Sequence, residues 1–333
     1  MGKMRLSRKE SDVLACVELR ANLSMPEIRK ETGYRDHTIR YALKQLEDRG
    51  IATPIPFVDL SKLGFTLYNV FFSFSSDKKQ LKQQFLKELN QTGPIVWVAE
   101  FGGDFQYALE ICARHISEVQ STLSALTEKF GNIFFQKSVS TQFAAHLLPR
   151  RYLSSKSASS KPLSIYQTGV TEKTDELDHR ILEALAGNGG SSHRRVAQLL
   201  EMPLSTLELR VKKLREKEII SGYFYAVRPD QYGYGSYKLL VFGKGISPKL
   251  GQRLLQYGTQ HPNIVSMYEC LGNWDYEIGV EVPSPKDVPQ VIQELYETFG
   301  DEINNIQMLS KFDDLKIRPF PSSEVRENKK RTR

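Results

Sequence analysis

Cysteine is scarce in this chain: Cys16, Cys112 and Cys270 are the three in 333 residues. They lie far apart and never in a Cys-x-x-Cys pair, which excludes a disulfide framework and gives no zinc pattern. Buried free thiols in a reducing compartment are what such spacing implies. Long apolar runs are missing too, and none approaches the roughly 20 residues that a membrane helix requires. The first eleven residues are charged and carry no apolar segment, so no signal peptide is expected and the cytoplasm is the expected location. The six histidines, His37, His115, His146, His179, His193 and His261, are scattered. No glycine-rich phosphate loop, nucleophile triad or paired-carboxylate motif accompanies them. The residues therefore call for no metal, no cofactor and no catalytic centre, and the chain is not expected to be an enzyme.

What the chain does have is a repeat. Thr38-Ile39-Arg40-Tyr41-Ala42-Leu43-Lys44-Gln45-Leu46 is echoed by Thr206-Leu207-Glu208-Leu209-Arg210-Val211-Lys212-Lys213-Leu214 at an offset of 168. That offset holds without a gap from Leu14/Leu182 to Ile51/Ile219. A second echo follows at 169: Leu63-Gly64 against Tyr232-Gly233, Gly103-Asp104-Phe105 against Gly272-Asn273-Trp274, and Phe130-Gly131 against Phe299-Gly300. The chain reads as two copies of one two-part unit. Its formal net charge of +7 is compatible with a nucleic-acid partner without requiring one.

Each unit opens helical. Ser7-Arg8-Lys9-Glu10 and Ser24-Met25-Pro26-Glu27 are capping boxes, Gly33 is a stop, and a third helix runs over about 35–49 before Gly50. Three short helices with a tight turn before the third read as a helix-turn-helix. After Ile51 the pattern becomes strand-like at 67–74, 95–101, 107–113 and 133–143, with helices at 78–89 and 115–130. That order, β-α-β-β-α-β, is a ferredoxin-like arrangement. The second unit repeats it. The fold class is thus α+β, with two winged helix-turn-helix domains each followed by a ferredoxin-like domain. Boundaries fall at 1–56, 57–150, 174–229 and 230–320, with a Ser/Lys-rich linker at 151–173 and a basic tail at 321–333.

These features resemble the Lrp/AsnC family of transcriptional regulators. The second unit carries the pattern most clearly: Leu177-Asp178-x-x-Ile181-Leu182-x-x-Leu185, then Thr206-Leu207-x-x-Arg210-Val211-Lys212-Lys213-Leu214, and Gly272-Asn273-Trp274-Asp275-Tyr276 near the family's Gly-Asp-Tyr-Asp turn. The resemblance implies a regulator of double-stranded DNA whose βαββαβ (RAM) domains pair. A sheet with helices on one face must have its other face covered. Here the first sheet is expected to cover the second within one chain, an intramolecular pseudo-dimer with the heads at opposite ends and further homo-oligomerisation left open; the alternative is that each pairs with its copy in another chain. Family likeness also implies an amino-acid effector near Gly103, Asp104, Gln106, Gly272, Asn273 and Asp275.

Recognition helices present donors to base edges and phosphates. The first offers Arg35, His37, Thr38, Arg40, Tyr41 and Lys44; the second offers Ser205, Thr206 and Lys212, with Glu208 among them. Residues 1–50 hold 11 basic and 8 acidic side chains, net +3, whereas 174–222 hold 8 of each, net zero. Unequal heads are expected, the first reading bases and the second gripping phosphate or contacting protein. Wings at 51–56 and 223–229, with Arg228, are expected to assist. The rivals are a tetrapyrrole enzyme, because siroheme decarboxylases resemble the same two-unit plan, and a regulator acting through protein partners.

Overall fold

The computed structural model describes residues 5–75, 78–154, 161–187, 192–245 and 247–322. The expected basic tail lies outside them from residue 323 onward. Head one consists of α1 (Arg8–Val17), α2 (Met25–Thr32) and α3 (Asp36–Asp48). Both capping boxes form: the Ser7 N–H donates to Glu10 at 2.7 Å and the Ser24 N–H to Glu27 at 2.8 Å. Gly33 closes α2 at φ +74°, a conformation that costs glycine no Cβ clash. Val13, Leu14, Ile28, Ile39, Ala42 and Leu46 face one another and are buried.

The same core also holds Tyr225 and Tyr232, which belong to the second copy. Conversely, head two, α6 (Glu176–Gly187), α7 (His193–Leu199) and α8 (Leu204–Glu216), buries Val58, Leu60 and Leu63 of the first copy. Each head thus completes its core with the other half's residues. The strands that follow the heads explain how. β1 (Ala52–Val58) and β7 (Ile220–Val227) pair with each other, antiparallel, with Ala52 opposite Val227 and Pro56 opposite Tyr223. The expected wings are therefore one shared ribbon. Each strand has found a partner for its edge in the other copy.

The two ferredoxin-like units follow the expected order. The first has β2 (Thr66–Phe74), α4 (Lys79–Gln91), β3 (Ile95–Gly102), β4 (Tyr107–Ala113), α5 (Ile116–Phe130) and β5 (Phe134–Leu147). A short β6 (Leu163–Tyr166), not expected in the linker, adds to β5. The second unit has β8 (Gly235–Gly243), α9 (Pro248–Gln260), β9 (Ile264–Leu271), β10 (Tyr276–Val282), α10 (Val288–Phe299) and β11 (Ile303–Ile317).

The halves join by their strand edges, not only face to face. β11 pairs β3, β5 pairs β9, and β2 pairs β5, so eight strands close into a ring in the order β2-β4-β3-β11-β8-β10-β9-β5. The long strands make the junctions. The first part of β5 runs along β2 and its second part, from Thr141, along β9. β11 runs first along β8 and then, from Ser310, along β3. β5 extends beyond the expected end at 143. Inside the ring, Phe71, Phe101 and Ala108 meet Leu240, Trp274 and Leu309 of the other half. Phe71 is fully buried, and its ring stands edge-on to Trp274 at 5.0 Å and 89°.

Phe71→Ala empties the meeting point of the two halves. It is expected to lower unfolding free energy by about 3–5 kcal/mol in urea titration while leaving the far-ultraviolet dichroism unchanged. A loss below about 1 kcal/mol would show that the halves do not depend on this contact.

Candidate nucleic-acid interface

Helix α3 has two chemically different faces because Ile39, Ala42 and Leu46 turn inward at helical spacing. Arg35, His37, Arg40, Tyr41 and Lys44 are exposed on the other side, with Thr38 half-buried among them. Tyr41 is 66 % exposed, unusual for so large a ring. Among the described residues, none of Arg35, Arg40 or Lys44 is in an ion pair. At the two ends of the helix cations are neutralised: Arg29 meets Asp36 at 3.5 Å and Arg49 meets Glu10 at 2.7 Å. The sequence-expected residues of head one therefore form one continuous cationic and aromatic surface.

Head two presents a different surface at the matching positions. Ser205, Thr206 and Lys212 are exposed, but Glu208 stands where Arg40 does and Leu209, 54 % exposed, where Tyr41 does. Lys212 faces Glu216 at 3.8 Å. Arg210 turns away from this face and ties α8 to α6 through Asp175 at 2.5 Å and Asp178 at 3.1 Å. Arg228, expected to aid from the wing, is paired with Asp313 at 3.1 Å and Asp230 at 3.7 Å, so its charge is balanced within the chain.

The expected effector turns are far more engaged with the protein itself. Gly103 lies at φ +127°, and a Cβ there would meet Leu309 at 3.0 Å. A Cβ on Gly272 would meet Ser140 at 2.8 Å. Each turn is thus packed onto a strand of the other unit. Gln106 accepts the Phe74 N–H at 3.1 Å, and its counterpart Asp275 accepts the Gly243 N–H at 2.6 Å. Asn273 donates to Ser138 at 2.9 Å, while Asp104 is exposed. The third residues of the two turns, Phe105 and Trp274, meet inside the ring with ring centres 6.2 Å apart.

Two polar clusters were not anticipated from the sequence. In one, Arg150 forks onto Glu281 with both contacts at 2.9 Å and reaches Glu18 at 3.1 Å, while Tyr152 bonds Glu281 and Tyr232. This bolts α1 of head one to β10 of the second unit. In the other, inside the ring, Lys238 pairs with Glu277, which also accepts from Asn69 at 3.1 Å and Trp274 at 3.2 Å. Glu110 lies beside them. The signal for these was present: Asn69, Glu110, Lys238, Glu277 and Glu281 interrupt apolar strands, where a charge has to find a partner. His146 is also buried, against Ser164 at 2.8 Å and Glu269 at 3.4 Å. No group of His, Cys, Asp and Glu among the described residues is arranged to hold a metal ion. Nor is any helix there long and apolar enough to cross a membrane.

The winged helix-turn-helix DNA-binding family matches residues 174–221. The HTH-type transcriptional regulator Ptr1 of Methanocaldococcus jannaschii is 32% identical over 101 residues, covering 30% of this chain and 67% of Ptr1. The HTH-type transcriptional regulator FL11 of Pyrococcus furiosus is 26% identical over 116 residues, 34% of this chain and 74% of FL11. Among solved structures, the siroheme decarboxylase NirDL shares the fold over 97% of both chains, with a TM-score of 0.61 and 12% identity.

Burial lifts the Glu110 carboxyl to about 7, with Glu277 adding to the effect and Lys238 opposing it. The folded chain therefore holds this proton more tightly than the unfolded one. The group's contribution to stability is fully present below its ordinary 4.5 and is lost as pH rises through about 7. Glu110→Gln should remove that loss, gaining at most about 3 kcal/mol over the parent protein near pH 8 relative to pH 5 in urea unfolding. Parallel profiles for the two proteins would contradict the assignment.

Proposed function

The chain belongs to the Lrp/AsnC family of winged helix-turn-helix, DNA-binding transcriptional regulators, and on that premise we propose that its two heads contact DNA unequally. The observation that carries this is the α3 surface, where three cations lack an acidic partner among the described residues and Glu208 replaces Arg40 in the copy. Helix α3 enters the major groove. Arg35 and Arg40 reach guanine edges, His37 lies beside them, and Thr38, Tyr41 and Lys44 hold phosphate. Head two meets only backbone, through Ser205, Thr206 and Lys212.

The working unit in this reading is the intramolecular pseudo-dimer, closed through β3–β11 and β5–β9, so that one chain carries both heads in fixed relation. The functional division follows the boundaries 1–56, 57–150, 174–229 and 230–320, and the protein acts in the cytoplasm. An amino-acid effector would have to use the exposed Asp104 beside Gly103, because Gln106, Asn273 and Asp275 are already bonded within the chain and Gly272 is packed on Ser140.

A second reading has one observation in its favour: the siroheme decarboxylase NirDL is built on the same two-unit plan. In that case the protein would be an enzyme of tetrapyrroles, and addition of an iron tetrapyrrole would give a Soret band with a fixed stoichiometry. No such band is expected of a regulator.

Arg40→Ala should weaken binding to a selected operator by roughly ten- to a hundredfold and relax sequence preference. Lys212→Ala should cost no more than about threefold and lower the salt slope by about one. Binding to genomic fragments selected at two salt concentrations, then titrated with each variant, measures both. Equal losses would refute the asymmetry.

A further inference from the structure

Two clefts separate the heads from the ferredoxin-like units, and the internal repeat makes them counterparts. The first lies between head one and the second unit. It is bridged by the Glu18–Arg150–Glu281 chain and by Tyr152, whose ring stacks on Tyr234 at 4.2 Å. About 560 Å³ remains open beside it. The second lies between head two and the first unit. There Cys112 stands in the place of Glu281, Ala186 in the place of Glu18, Phe65 in the place of Tyr234 and Arg114 in the place of Pro283. The fork onto two carboxylates has no counterpart here; Arg318 meets only Glu183 of α6, at 3.2 Å, and the cleft measures about 900 Å³.

The charges around this larger cleft are unevenly matched. Four acids line it: Glu88 pairs with Lys129 at 2.6 Å, Glu183 with Arg318 at 3.2 Å, Glu118 accepts the Arg114 backbone N–H at 2.8 Å, and Glu176 lies one turn before Arg180 on α6. The guanidinium of Arg114 lies 4.2 Å from the Phe65 ring centre and gives one N–H to the Leu63 carbonyl at 2.7 Å. Arg180 is exposed on α6, across the cleft. Among the described residues neither arginine is in an ion pair. Two unmatched cations therefore flank a floor that includes Phe65, Leu126 and Phe320. A mostly apolar hollow of this size with a few convergent polar groups suits a small ligand.

We propose that this cleft binds a small organic anion, a carboxylate on an apolar ring-sized body, which touches both β4 and α6 and clamps head two as the Arg150 chain clamps head one. The carboxylate lies between Arg114 and Arg180 in charge-assisted hydrogen bonds. The ring covers Phe65 and Phe320. Because no residue of α3 lines the cleft, the proposal stands apart from DNA reading by head one.

The test is calorimetric titration of the full chain with 2-naphthoate, and with 2-naphthamide as the uncharged twin. Arg180→Glu removes one cation, and Ala125→Trp fills the cleft from an exposed position on α5. Naphthoate is expected to saturate one site and to raise the melting temperature. Its affinity should fall about tenfold or more in Arg180→Glu, the size of one charge-assisted hydrogen bond. Binding should vanish in Ala125→Trp, with operator binding by the same preparation intact. Equal affinity for the two probes overturns the anion assignment. Affinity unchanged in both variants, or no heat up to millimolar probe, overturns the site. Loss of operator binding in every protein, parent included, would instead strike at the regulator reading and leave the titration to be judged alone.

Discussion

Unpaired strand edges are the constraint from which the rest of this structure follows. A ferredoxin-like sheet has two of them, and an exposed edge offers its N–H and C=O groups to any other strand. Here the edges of one unit meet those of the other, β3 on β11 and β5 on β9, until no edge of the eight remains open. Closure brings the helix-free faces together, so one arrangement satisfies backbone hydrogen bonds and buries Phe71, Trp274 and Leu309 in the same step. It also carries β1 beside β7, and that shared ribbon makes each head dependent on residues from the opposite half.

Duplication followed by divergence is visible where the two halves meet. Asn69 and Lys238 occupy matching positions, as do Ala108 and Glu277, and Glu110 and Gly279. The buried ion pair Lys238–Glu277 comes from the second half, while Asn69 of the first donates to it. A buried charge is costly unless paired and bonded, so this cluster ties the halves to a particular partner as much as it stabilises them. Two identical first halves would bring two Glu110 carboxyls inside with no lysine to meet them. The heads diverge in the same way. Head one is fixed through a buried arginine with two carboxylates, head two through apolar packing and the half-exposed Arg318–Glu183 pair. Difference in anchoring accompanies difference in the recognition surfaces, where Arg40 is set against Glu208.

Amphipathic period and capping made the heads legible in the sequence. Ser7, Ser24, Gly33 and Gly50 mark helix ends by local chemistry, and Ile39, Ala42 and Leu46 mark the inward face by spacing. The surface residues of α3 followed by exclusion, because a residue not turned inward on a short helix is turned out. The alternation of apolar strands with two helices likewise fixed β-α-β-β-α-β in each copy. That the two wings form one ribbon was not legible, because a strand's partner is not written in its own residues. The ends of β5 and β11 were illegible for the same reason: residues 144–147 of β5 are held between β9 and β6, and 316–317 of β11 by β3.

What the residues alone determined is thus everything governed by neighbours within about one turn or one strand: caps, faces, turns, the repeat and the cationic side of head one. The tertiary structure decided whatever depends on residues some thirty or more positions apart. It closed the ring, placed Arg150 between Glu18 and Glu281, turned Arg210 onto Asp175 and Asp178, and opened a cleft beside head two where its counterpart is bridged. Charges such as Lys238 and Glu277 announced by their place in apolar strands that they required partners, but which partners met them depended on how two sheets closed upon each other.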